Sequence, residues 1–156
     1  METRKIARMG LLVALSMILS YVESLIPAFV AVPGVKVGLA NIVVIFALYT
    51  LGPIEALIVS LLRVILSSFL FGSVLSLLYS LSGALLSLGG MILMKKLKIF
   101  STTVVSVTGG VLHNVGQILV ACLVLETDVL LYYLPVLILS GTITGAVIGI
   151  IASLVI

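Results

Sequence analysis

Two sets of polar side chains stand where this chain has least physical reason to keep them. The first is Arg63, deep in an apolar run with Ser60 and Ser67 at helical spacings to either side. An arginine near the centre of a bilayer costs at least about 2.5 kcal/mol to insert, so it should face the bundle interior or a hydrated cavity. There it could anchor an anionic group of a ligand. It could equally form an internal ion pair with Glu23 or Glu55, or snorkel to an interface. The second set is Gly109-Gly110-Val-Leu-His113-Asn114-Val-Gly116-Gln117. His113 and Gln117 are four apart and Asn114 and Gln117 three apart, so one helix face can present all three. Three hydrogen-bonding side chains could read the polar edge of a ligand, and the glycines admit a second helix or a ligand close to the backbone. The alternative is that they are interhelical hydrogen-bond glue, each contact contributing about 1 kcal/mol or less.

A polar rim adds to these. Glu23 and Asn41 fall at similar depth near the ends of consecutive apolar segments, with Lys36 on the stretch between them. Together they outline an outward-facing opening, although Glu23 alone also suits a membrane interface. Tyr79 could stack on a ligand or hydrogen-bond to it, or serve as an interfacial anchor. Glu55, just after Pro53, favours a helix N-terminus electrostatically.

Other chemistries are excluded by what is missing. One histidine with a single cysteine, Cys122, makes a poor zinc site and allows no internal disulfide. There is no Walker A sequence, so the chain cannot drive transport by hydrolysing ATP itself. No GxSxG is present. Asp128 is the one aspartate, whereas Mg²⁺-diphosphate chemistry needs clustered carboxylates. The expectation is a non-enzymatic protein with no cofactor and no metal.

The elements that must position these groups are membrane helices. Of 156 residues, 63% are hydrophobic and 8% charged, against about 25% charged in soluble domains. The mean hydropathy is +1.51. Residues 64–94, 99–125 and 129–156 contain no Asp, Glu, Lys or Arg. A crossing takes about 20 apolar residues. The first runs from about Ile6 to Ile26; it continues past the length of a signal-peptide core and lacks a clear cleavage site, so it reads as a span. Residues 37–72 are too long for one crossing and break at Gly52-Pro53, and the next run turns at Gly72-Ser73. Lys95-Lys96-Leu-Lys98 ends the fourth, and Glu126-Thr-Asp128 ends a fifth that begins near Phe100. The remainder makes a sixth. The expected fold is therefore all-α, one membrane domain over residues 1–156 built as a six-helix bundle.

Charge supplies a parity check. Lysine and arginine concentrate on the cytoplasmic side, so Arg4/Lys5/Arg8 and Lys95/Lys96/Lys98 should share it. Four crossings between them satisfy that and place both termini in the cytoplasm, with Glu126 and Asp128 outside. The pI near 9.2 then reflects topology in the cell membrane, not nucleic-acid binding. In the first span Gly10 and Ala14 form a small-xxx-small step that allows a partner helix to approach.

Pro33-Gly-Val-Lys36-Val-Gly38-Leu-Ala-Asn41, Phe46-Ala-Leu-Tyr49, Leu62-Arg63-Val-Ile-Leu, Leu78-Tyr79-Ser80-Leu-Ser-Gly83, His113-Asn114-Val-Gly116-Gln117 and Tyr133-Leu134-Pro135 occur in that order. Together they resemble the Gx transporter family, whose members also go under the name heptaprenyl diphosphate synthase component I. The resemblance covers nearly the whole chain. That family in turn is similar to the substrate-binding S components of energy-coupling factor (ECF) transporters, six-helix proteins that capture a small nutrient from outside. It implies a T component and paired cytoplasmic ATPases as partners, a small-molecule substrate, and lipid around the bundle. S components dock through an Ala-xxx-Ala face on the first helix; here Ala7 is followed four later by Leu11, and Gly10 and Ala14 keep the small spacing instead. The component I name implies a non-catalytic role, since trans-prenyl synthases hold Mg²⁺ and diphosphate through DDxxD motifs absent from this chain.

Overall fold

A computed structural model describes residues 2–25 and 38–156. Among the described residues six α-helices follow one another: α1 (Glu2–Leu25), α2 (Asn41–Thr50), α3 (Pro53–Phe71), α4 (Val74–Leu97), α5 (Thr102–Leu125) and α6 (Leu134–Val155). A short 3₁₀ turn over Val129–Tyr133 leads into α6. Five of the helical segments are long and apolar enough to cross a membrane, which makes this a multi-pass membrane protein.

The breaks fall where local chemistry places them. Gly52 has φ of +123°, a conformation that side-chain-bearing residues avoid, and Pro53 opens α3 with its fixed φ and missing N–H. At the next turn the Ser73 hydroxyl accepts the Ser76 amide at 3.2 Å, capping α4. Ser101 caps α5 in the same way through Val104. Lys98 and Glu126 end α4 and α5 in the left-handed conformation typical of helix C-termini.

The second segment departs from the expected crossing. Its described helix, α2, has ten residues; at 1.5 Å per residue that is about 15 Å, half the roughly 30 Å of hydrocarbon. It touches each of the other five helices, and Val43, Val44, Ile45, Ala47 and Leu48 are buried. Most of its apolar side chains are covered by protein, and Ile42, Phe46 and Tyr49 are partly exposed.

Both basic clusters lie at one end of the bundle, as parity requires. Lys5 at the start of α1 pairs with Glu55 at the start of α3. Lys95 at the end of α4 donates to the Leu48 carbonyl of α2 at 2.7 Å and sits over the Tyr49 ring.

Close packing is concentrated on α5. Along α6, Gly141, Gly145 and Gly149 recur every fourth residue and press on α5 backbone: a Cβ at Gly145 would stand 2.7 Å from Val107 Cα, and one at Gly149 2.6 Å from Thr103 Cα. On the opposite side of α5, Gly116 meets Gly83 of α4, where an added Cβ would lie 2.9 Å from Gly83 Cα. Small residues permit the short interhelical distances that dispersion needs in lipid.

Candidate functional site

The interior is stratified along the bundle axis. Towards the basic end lies an apolar cluster that includes Leu12, Val44, Leu48, Val59, Met91, Val105 and Ile148. Towards the other end Tyr79, Ile118, Ala121 and Leu137 form a second one. Between and beside them the buried side chains turn polar: Glu23 of α1, Asn41 of α2, Ser60, Arg63 and Ser67 of α3, Ser80 of α4, and His113, Asn114 and Gln117 of α5.

Arg63 is 5% exposed and points inward, so it does not snorkel. Its Nη2 lies 3.4 Å from Asn41 Oδ1, and the acidic group acting on it is Glu23. Glu55, the other partner considered for Arg63, is instead held by Lys5 at the basic end. Glu23 Oε1 also accepts the backbone N–H of Gly38. One carboxylate therefore ties the end of α1 to the residues that start α2. Among the described residues, Arg63 Nε has no hydrogen-bond partner.

Gly38 explains how the histidine joins this group. At φ of +92° it lets the chain turn into α2, and a Cβ there would lie 3.0 Å from Asn41 Nδ2 and 3.5 Å from His113 Cδ2. The imidazole thus borders Gly38 and Asn41 on one side. On its other side it meets α4: a Cβ on Gly83 would be 3.1 Å from His113 Nδ1 and 2.9 Å from Gln117 Cγ. His113 and Gln117 share the α4-facing side of α5, as their spacing implies. Gln117 is 0% exposed, and neither atom of its amide head finds a hydrogen bond among the described residues.

Asn114 goes elsewhere. Its Nδ2 donates to the Leu137 carbonyl of α6 at 2.7 Å, the interhelical bond weighed as the alternative. Asn114→Ala should accordingly lower the thermal unfolding midpoint through the loss of about 1 kcal/mol, while a bound ligand is retained as in the parent; a binding assay and a melting curve on one preparation check both.

Tyr79 is fully buried in the second apolar cluster and is not at an interface. Gly10 and Ala14 are exposed on α1, with nothing within 4 Å of a Cβ added at Gly10. Lys36 and the 27–36 stretch expected to border the entrance lie outside the described residues. A cavity of about 10 Å³ lies between Gly38, Asn41 and the glycines of α5 and α6, room for about one water. Among the described residues no group of three or more His, Cys, Asp or Glu gathers to hold a metal.

The serines are what the sequence reading overlooked. Ser16 and Ser20 lie seven and three residues ahead of Glu23 on α1, and Ser76, Ser80 and Ser87 share a face of α4 with Gly83; all are buried. Ser76, Ser80 and Ser87 hydroxyls have no hydrogen-bond partner among the described residues. Their spacing along one helix face is the signal in the sequence that marks them.

Compared with known proteins, residues 12–155 match the family model described as heptaprenyl diphosphate synthase component I. No curated protein and no solved structure matches the chain.

Proposed function

The chain belongs to the heptaprenyl diphosphate synthase component I family, and from that premise we propose that it is a non-catalytic membrane subunit that captures a small organic molecule, in the manner of an ECF-type S component. The observation that carries this reading is the buried constellation of Arg63, Asn41, His113 and Gln117, in which Arg63 Nε and both polar atoms of the Gln117 amide find no hydrogen bond among the described residues. Buried polar groups are ordinarily paired, and intramembrane charges ordinarily serve a ligand or a path. Arg63 Nε would receive an anionic or carbonyl oxygen, and His113 and the Gln117 amide would read the remaining polar edge. The basic end faces the cytoplasm, so the polar half opens outward, and exposed Gly10 and Ala14 on α1 offer a face to a T component. Partner ATPases would supply the energy for release.

The family description itself favours a second reading, a non-enzymatic component I beside a soluble prenyl diphosphate synthase. Purification in mild detergent separates the two: a T component and ATPases should co-purify on the first reading, and an aspartate-rich synthase on the second. Gln117→Leu should weaken retention of the co-purifying small molecule at least about tenfold, equivalent to 1.4 kcal/mol, with insertion unchanged. Native mass spectrometry reads this directly. Equal occupancy in Gln117→Leu and parent would overturn the pocket.

A further inference from the structure

The gap between α1 and α6 lies outside the polar site and has its own architecture. These two helices do not touch among the described residues, and α2 forms the floor between them. The resulting groove is lined by Leu12, Leu15, Phe46, Ile151 and Val155 among others, with a volume of about 240 Å³. A second pocket of about 360 Å³ is lined by Arg4, Lys5, Arg8, Thr50 and Leu51. The two are consecutive along both walls. Arg8 precedes Leu12 by four residues on α1, and Phe46 precedes Thr50 by four on α2, so one helical turn separates basic mouth from apolar floor. Lys5 is held by Glu55, which leaves Arg4 and Arg8 to give this mouth its positive field.

We propose that this composite groove binds one anionic phospholipid, its phosphate held by Arg4 and Arg8 and an acyl chain laid along Leu12, Leu15, Phe46 and Ile151. Charge complementarity selects the headgroup, since basic pockets between membrane helices at the cytoplasmic face are suited to anionic lipid phosphates. Size selects the chain. A helix about 10 Å wide rising 1.5 Å per residue fills over 100 Å³ per residue, so about 240 Å³ holds roughly two residues of helix. A flexible hydrocarbon chain fits that space, whereas a partner helix does not enter it.

The test uses the full chain, delipidated in neutral detergent and titrated with phosphatidylglycerol or phosphatidylcholine, with bound lipid counted by native mass spectrometry. Phosphatidylglycerol should bind at least about tenfold more tightly than phosphatidylcholine. Arg4→Gln/Arg8→Gln should abolish the preference, whereas Lys96→Gln/Lys98→Gln, which removes equal charge from the same end, should keep it. Leu15→Trp and Ile151→Trp, both partly lipid-exposed positions, should weaken both lipids by filling the groove. Equal affinity for the two lipids, or an equal effect of the two charge-removing pairs, would overturn the proposal. So would tighter binding of farnesyl diphosphate than of phosphatidylglycerol, or a dimer that Leu15→Trp dissociates, since each assigns the groove to a different occupant.

Discussion

Replacing Gly110 with leucine should separate α5 from α6 and leave little folded protein. An added Cβ at Gly110 would stand 2.4 Å from the Gly141 carbonyl oxygen, and one at Gly141 would stand 2.7 Å from the Gly110 carbonyl oxygen. Both obstacles are backbone atoms, which cannot swing aside as a side chain does. Inserting bulk into a packed core typically costs about 1–3 kcal/mol, and here relief requires moving a whole helix, so the loss should reach at least about 3 kcal/mol. The same shift would open the Gly145–Val107 and Gly149–Thr103 contacts and draw Leu137 away from Asn114. The control is built into the molecule: Gly10 and Gly89 have nothing within 4 Å of an added Cβ. Gly10→Leu and Gly89→Leu should stay within about 0.5 kcal/mol of the parent. Thermal unfolding in one detergent compares all three, and a Gly110→Leu midpoint close to that of Gly10→Leu would contradict the packing described.

The second large effect is at Arg63. Arg63→Ala removes the buried guanidinium on which the Glu23 carboxylate acts, and with it the partner of Asn41 Oδ1. Deleting one member of a buried charge pair costs about 3–5 kcal/mol, whereas replacing both members is far less costly. Arg63→Met/Glu23→Gln should therefore recover most of the stability lost in Arg63→Ala, since glutamine can still accept the Gly38 amide. Ligand retention should not recover, because the guanidinium is gone in both variants. The two readouts separate a structural ion pair from a binding anchor. A double variant that is stable and still holds its ligand as the parent does would reduce Arg63 to a packing element, and the capture reading would lose its anchor.

The boundaries of the helices were legible because each is a local property. An uncharged run has a length, Gly52-Pro53 and Gly72-Ser73 interrupt it, and lysines or acidic residues terminate it. Parity of the basic clusters was legible for the same reason, since charges cannot stay in hydrocarbon. Burial of Arg63, His113 and Gln117 followed from polarity alone: a polar group within a span has to turn away from lipid.

Which polar group meets which was decided only by the tertiary arrangement. Asn114 and Gln117 are three residues apart, yet one bonds α6 and the other faces α4, because α5 is packed on both sides and its neighbours divide its surface. Glu23 and Glu55 were equal candidates for Arg63 until the bundle placed them at opposite ends. The depth of α2 was hidden most fully. Val43, Val44, Ile45 and Leu48 are as apolar as any lipid-facing residue, and hydropathy records what a side chain avoids, not what surrounds it. In water the distinction between inside and outside is written in polarity; in a bilayer both environments are apolar, so only packing tells them apart.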